Sequence, residues 1–212
     1  MNREIKPEWL TPAVTPTAKQ WRDALYYGGL GYGAEERRKR IMDTGFCTHS
    51  QEIVMALVKL IGDRKVFEVG AGKGHLARLL YDQGVDIRAV DSRAGNSTRP
   101  EWWETPNYFD VEHLDATTLD ELPGEVILMV WPCWRDKFAE DIARKIKPGQ
   151  LLLYYGESEG GCTADAGFFK FIYSAMTEQE LPEEFNTHSV TYHTLNDYWS
   201  AYTYPLQEVP NG

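Results

Sequence analysis

Apolar residues follow two different periods along the chain. From Ala18 to Ile61 they recur at helical spacing in three pieces, interrupted by the Gly28-Gly29-Leu30-Gly31-Tyr32-Gly33 stretch and by Thr44-Gly45. The middle piece carries the Glu35-Glu36-Arg37-Arg38-Lys39-Arg40 run and reads as a solvated helix face. In the third, Ser50 stands where an N-cap belongs, and Ile53, Leu57 and Leu60 share one face that should pack on a sheet. Beyond Ile61 the pattern changes to short apolar runs, Lys65–Val69, Asp86–Val90, Phe109–Leu114, Val126–Val130 and Leu151–Tyr155, which predict buried parallel strands. Helical patterns fill the gaps at His75–Tyr81, Trp134–Ile146 and Phe168–Met176. Phe185–Thr194 and Tyr198–Tyr204 then alternate with only Leu195-Asn196-Asp197 between them, which predicts a C-terminal antiparallel hairpin.

Alternating β and α elements predict an α/β, Rossmann-like fold: a mostly parallel sheet with the antiparallel hairpin at its end and an N-terminal helical extension. Residues 1–62 read as an arm and helical cover, opened by Pro7, Pro12 and Pro16, and residues 63–212 as the rest of one structural unit. A length of 212 residues fits one domain.

Composition narrows the function classes. A hydrophobic fraction of 42% with seven Trp and twelve Tyr supplies a sizeable core and excludes wholesale disorder. The 22 basic against 32 acidic residues leave a net charge of −10, which disfavours duplex nucleic acid as a partner. Cys47, Cys133 and Cys162 are odd in number and contain no CxxC pair, so neither a disulfide framework nor structural zinc is expected, and a reducing compartment suits them. The N-terminal residues lack the apolar core of a secretory signal and no apolar run is long enough to span a bilayer, so the expectation is a soluble, cytoplasmic protein with no membrane partner.

The chemistry concentrates at Val66-Phe67-Glu68-Val69-Gly70-Ala71-Gly72-Lys73-Gly74-His75, a strand running through a glycine-rich turn into a helix. A P-loop requires GxxxxGK[ST], and Gly74-His75 stands where its hydroxyl residue belongs. A dinucleotide fingerprint requires GxGxxG, and His75 occupies its third glycine position. What is left is an acid two residues before a GxGxG, followed 21 residues after Gly70 by Asp91 at the end of the second strand, where a carboxylate can accept from two ribose hydroxyls.

This pairing resembles motif I and the ribose acid of the class I S-adenosylmethionine-dependent methyltransferases. The resemblance implies S-adenosyl-L-methionine as cofactor, held by Glu68, Gly70, Ala71, Gly72, Gly74 and Asp91, with Asp115 and Ala116 beside the adenine. Asp115 reads equally as a turn cap. The fourth strand ends in Val130-Trp131-Pro132-Cys133-Trp134, where amino-directed members carry an Asp or Asn, two prolines and an aromatic. Trp131 replaces the acceptor and Cys133 the second proline, so substrate orientation falls to the Pro132 carbonyl, and the nature of the acceptor atom stays open. Packing explains the two tryptophans equally well. With Gly156-Glu157-Ser158-Glu159-Gly160-Gly161-Cys162-Thr163-Ala164-Asp165 after the fifth strand, the order is similar to that of a bacterial and fungal methyltransferase-like family over roughly half the chain.

Trp131, Pro132, Trp134 and Glu157, with Tyr26, Tyr27 and Tyr32 of the N-terminal segment, are therefore the candidate acceptor site. Thr163 serves there or as the N-cap of the next helix. His188 and His193, five apart on the expected hairpin, face opposite sides, and no metal is expected. The reading is a methyltransferase for a small molecule or a protein side chain. A cofactor-binding module without transfer activity and a nicotinamide-dependent oxidoreductase are the alternatives.

Overall fold

A computed structural model describes residues 15–26, 45–94, 103, 105–192 and 195–205. The helices are α1 (Ala18–Tyr26), α2 (Gln51–Ile61), α3 (His75–Asp82), α4 (Phe138–Ala143), α5 (Ala166–Ala175) and α6 (Glu184–His188), with a 3₁₀ turn at Ala116–Thr118. The strands are β1 (Val66–Val69), β2 (Ile87–Asp91), β3 (Val111–His113), β4 (Val126–Val130), β5 (Leu151–Gly156), β6 (Thr177–Gln179) and β7 (Tyr198–Thr203). They form one sheet in the order β3-β2-β1-β4-β5-β7-β6. The first five strands are parallel, and β7 is antiparallel to both β5 and β6.

Helices cover both faces. On one, Ile53, Val54, Leu57 and Ile61 of α2, Leu76 and Leu80 of α3 and Phe185 of α6 join Val66, Leu128, Leu153 and Tyr155 of the sheet. On the other, Ala139, Ile142 and Ala143 of α4 and Phe168, Phe169 and Ile172 of α5 pack on Phe67, Val69, Ile127, Leu152 and Tyr154. Because strand residues alternate in direction, Glu68 shares the face of Val66, toward α2 and α3. The strand order reverses between β1 and β4, which opens a crevice at the carboxyl ends of these strands.

Several boundaries differ from the sequence pattern for local reasons. Helix α4 starts at Phe138 rather than Trp134, because Arg135 takes a left-handed φ of 58° and donates its N–H to the Ala164 carbonyl at 2.9 Å. Strand β3 starts at Val111, whose N–H turns back to the Phe109 carbonyl at 3.0 Å. The antiparallel end of the sheet is present, but the expected hairpin partner is not. Phe185 lies in α6, buried against Trp199, and β7 pairs instead with Thr177–Gln179. All three residues of that edge strand are exposed, so it satisfies backbone pairing without leaving an apolar signature. The middle helix expected around residues 35–40 lies outside the described residues. No described helix is long and apolar enough to cross a membrane.

Candidate active site

A cavity of about 310 Å³ runs across the carboxyl ends of β3, β2, β1 and β4. Its floor is the turn after β1. Gly70, Gly72 and Gly74 all take left-handed φ values, of 67°, 56° and 73°. At Gly74 a side chain would also collide, since an added Cβ would lie 2.7 Å from Val111 Cγ2 and 2.8 Å from Phe109 Cβ. The glycine thus lets the start of α3 press onto the β3 segment.

Asp91 ties the loop to β2. Its Oδ2 accepts from the Gly72 N–H at 2.9 Å and its Oδ1 from the Arg93 N–H at 2.6 Å. Burial raises its pKa against these two backbone hydrogen bonds and the nearby Arg93 and His113 charges. Both oxygens keep a lone pair for a ligand hydroxyl. Asp115 lines the same end and caps the 3₁₀ turn, Oδ1 accepting from the Thr117 N–H at 2.9 Å. The turn-cap role is therefore present, alongside a place on the cavity wall. Ala116 lines the wall beside it.

Glu68 is 3% exposed, lines the cavity, and has no hydrogen-bond partner for Oε2 among the described residues. Its pKa is pushed up to about 8, first by burial and then by the Asp91 charge, with a hydrogen bond from the Ala77 backbone opposing. At neutral pH it is an uncharged acid waiting for a partner.

At the β4 end the wall is aromatic. The rings of Phe46 and Trp131 stack with centroids 5.1 Å apart and planes 4° from parallel. Trp131 is held in a left-handed conformation, φ 53°, by its N–H to the Tyr155 carbonyl at 2.8 Å and its indole Nε1–H to Asp197 Oδ1 at 2.9 Å. Such a backbone costs a non-glycine residue about 1–3 kcal/mol and is characteristic of functional sites.

Two imidazoles that sequence pattern alone did not assign to the site line the same cavity, the His75 ring 5.0 Å from that of Tyr108. The rings of His49 and His75 stack 6.0 Å apart, and both residues line the cavity. His49 Nδ1 and both ring nitrogens of His75 have no partner among the described residues. Burial first, and His75 second, lower the pKa of His49 to about 3, and burial lowers that of His75 to about 4. Both are neutral at physiological pH. The segment carrying His49 is pinned on every side. The His49 carbonyl accepts from Thr15 Oγ1 and, at 3.0 Å, from Trp21 Nε1–H. Thr48 Oγ1 donates to the Val190 carbonyl, and Ser50 Oγ donates to the His188 carbonyl while accepting the Ile53 N–H as the N-cap of α2.

No family model matches the chain, and no curated protein does. Solved structures do. Magnesium protoporphyrin IX methyltransferase from Synechocystis PCC 6803, with bound SAH, superposes with a TM-score of 0.51 at 11% identity, over 88% of this chain and 93% of that one. The N-methyltransferase NodS from Bradyrhizobium japonicum gives a TM-score of 0.50 at 11% identity, over 72% of this chain and 92% of that one. The chain has the class I methyltransferase fold.

On that fold, Glu68, Gly70, Ala71, Gly72, Asp91, Asp115, Ala116, Trp131 and Pro132 all line one cavity, and Gly74 closes the turn beneath it. The remaining acceptor-site expectations are corrected. Trp134 does not line the cavity: it is 49% exposed, with the Arg135 guanidinium 3.9 Å above its ring. Glu157 does not line it either, because its carboxylate organises its own loop, Oε2 accepting from the Cys162 N–H at 2.6 Å and Oε1 from the Asn196 N–H at 3.0 Å. The Pro132 carbonyl accepts the Ala164 N–H at 3.1 Å. Thr163 is not an N-cap; its hydroxyl sits among Tyr154 and the Glu157 backbone, and Asp165 caps α5. The Tyr26 side chain, Tyr27 and Tyr32 lie outside the described residues, as does His193. Among the described residues no group of three His, Cys, Asp or Glu is arranged to hold a metal.

Proposed function

We propose that this protein is an S-adenosyl-L-methionine-dependent methyltransferase that binds its cofactor along the glycine turn and Asp91 and takes its methyl acceptor at the β4 end of the cavity. The observation that carries the reading is the glycine turn. Its left-handed glycines expose backbone in the cavity while the Gly72 N–H holds Asp91 Oδ2 at 2.9 Å, at the carboxyl end of β2. Glu68 fits the same ligand: a buried, unpartnered carboxyl oxygen on the cavity wall suits the α-ammonium of a methionine moiety, which would draw its proton off. Asp91 supplies ribose acceptors, and Asp115 and Ala116 flank the adenine end.

The cofactor supplies a methyl carbon activated by a sulfonium leaving group. The protein's part is to hold the acceptor in line with that carbon and to keep water out, so no strong base is demanded of it. Trp131 and Phe46 form a rigid aromatic wall for this purpose, fixed by the Asp197 hydrogen bond and by the pinned 46–50 segment. Such positioning serves a small molecule better than duplex nucleic acid, which the net charge of −10 repels.

Calorimetric titration with S-adenosylmethionine, S-adenosylhomocysteine and NAD tests the reading. Micromolar binding of the first two with no NAD binding is expected. Tight NAD binding with none of the others would sink it in favour of an oxidoreductase. Cofactor binding with no methyl transfer to any component of a cell extract would leave a binding module.

A further inference from the structure

The cavity wall at β1 and the exit of the glycine turn, where the His75 ring lies 5.0 Å from that of Tyr108 and 6.0 Å from that of His49, carries a feature the cofactor reading leaves unused. Three buried polar side chains, Glu68, His49 and His75, are 3%, 4% and 7% exposed, and each presents ring nitrogens or a carboxyl oxygen with no partner among the described residues. Buried polar atoms are rarely left in this state unless a ligand or water completes them. Glu68 is accounted for by the cofactor's ammonium. The two imidazoles are not.

Three stretches of the described lining carry no acidic or basic residue. Of the lining residues in the 45–49 segment, in His75-Leu76 and in 130–133, none is Asp, Glu, Lys or Arg: they are glycine, aromatic, aliphatic, proline, cysteine and neutral imidazole. Cys47 stays a thiol, its pKa raised by burial and then by the charges of Asp197 and Glu68. Asp197 is itself bonded to the Trp131 indole and does not line the cavity. The charged residues of the described lining lie elsewhere on it: Lys73 in the glycine turn, its ammonium donating to Thr105 Oγ1, Glu68 on β1, Asp91 at the end of β2, Asp115 after β3, and Asp136, Lys137 and Asp141 after β4, with Asp136 held by the Phe138 N–H at 2.9 Å.

Resting on the methyltransferase reading, we infer that the acceptor is a compact, uncharged ring compound whose hydroxyl or amide-like group bonds to His49 and His75 while its ring lies against the Phe46–Trp131 wall. A neutral imidazole is both a donor and an acceptor, so the pair satisfies a group that itself does both. Among the described lining residues, Lys73 is held by Thr105 and Glu68 is taken by the cofactor's ammonium, so a carboxylate or ammonium placed between the imidazoles would be desolvated with its charge met only by groups already engaged, a cost larger than hydrogen bonds to two neutral rings return.

The test uses the full chain saturated with S-adenosylhomocysteine, saturation being confirmed by calorimetry. Benzyl alcohol, benzoate and benzylammonium serve as probes alike in ring and different in charge. Histidine Cε1–H resonances, assigned through His49→Asn and His75→Asn, report occupancy. Benzyl alcohol is expected to shift both resonances and to bind about tenfold or more tighter than either charged probe. Each substitution is expected to weaken benzyl alcohol by about tenfold, with S-adenosylhomocysteine binding retained as the sign of an intact fold. Benzoate or benzylammonium binding as tightly as benzyl alcohol overturns the inference, and the wild-type comparison needs no variant to fold. So does benzyl alcohol that fails to bind, leaves both imidazoles unmoved, or binds undiminished after both substitutions. Failure of S-adenosylhomocysteine to bind is a separate result, which removes the methyltransferase reading and this inference together.

Discussion

At the β2/β3 end of the cavity the described polar groups are anchored to backbone. Asp91 accepts from Gly72 and Arg93, and Asp115 from Thr117. At β1 and the exit of the glycine turn, Glu68, His75 and the facing His49 keep nitrogens or an oxygen without a partner among the described residues, in a nearly dry interior. The contrast separates two ways of preparing a site. Carboxylates locked onto backbone amides are preorganised for one fixed ligand geometry, and they resist rearrangement whether or not the ligand is present. Unpaired imidazoles store a cost that only an incoming partner relieves, so that end of the cavity gains most from being filled. In the reading proposed above, the first arrangement serves the ribose and adenine of the cofactor, while of the second group Glu68 serves its ammonium and the two imidazoles serve the acceptor.

Substitutions in the two ends should therefore fail in different ways. The largest effect is expected at Gly74→Ala, where the left-handed backbone and the approach to Val111 and Phe109 together cost about 2–5 kcal/mol in urea unfolding. A loss under 1 kcal/mol would mean that the β3 segment yields easily and that the β2/β3 end is not rigid.

The unpaired end should announce itself through pH. Between the ordinary carboxyl value of 4.5 and about 8, the folded chain keeps a proton on Glu68 that the unfolded chain releases, so stability falls as pH rises through that window. Between 6.5 and about 3 to 4, unfolded histidine takes up protons that folded His49 and His75 refuse, so stability falls as pH drops. The optimum lies near 6.5, and raising the pH from there to 8 should cost about 1 kcal/mol, the Glu68 loss at up to roughly 1.4 kcal/mol per unit being partly offset by the last of the histidine gain. Glu68→Gln should flatten this alkaline limb in denaturation curves taken at the two pH values. A limb unchanged in the variant would place its origin elsewhere.

If, as proposed, the preorganised Asp91 carboxylate holds the cofactor's ribose, Asp91→Ala should lower S-adenosylhomocysteine affinity by about 1–3 kcal/mol through the lost acceptors, read by calorimetry. Binding within twofold of wild type would contradict that assignment. The smallest effect is expected at Trp134→Ala, where the Arg135 contact contributes about 0.5–1 kcal/mol at an exposed site and cofactor affinity should not change. A marked loss of turnover there, once an acceptor is in hand, would extend the acceptor surface beyond the cavity.

How much of the site was legible depended on how local its signal is. The glycine turn and Asp91 were readable because backbone turns demand particular residues at adjacent positions and a parallel strand pair places Asp91 a fixed distance on. Trp131 was readable as the residue ending a buried strand, though not its conformation. Glu157 looked like a ligand because it follows β5 directly. Its carboxylate was drawn instead to the amides of Cys162 and Asn196, the latter 39 residues away. His49 carried one local clue, its place just before the Ser50 cap, and His75 another, its place at the glycine-turn exit. Neither clue said that the two rings meet.

From the sequence alone followed the strands β1, β2, β4 and β5, the start of α2 at Ser50 and the glycine turn, because burial period, capping and left-handed turns are properties of neighbouring residues. Tertiary structure decided which segment pairs with β7, since an exposed Thr-Glu-Gln strand contributes hydrogen bonds and no apolar pattern. It also decided that His49 and His75 stack inside the cavity. That contact depends on the 46–50 segment being held at once by Thr15, Trp21, His188 and Val190, and long-range backbone partners of this kind leave no periodic trace in the residues that make them.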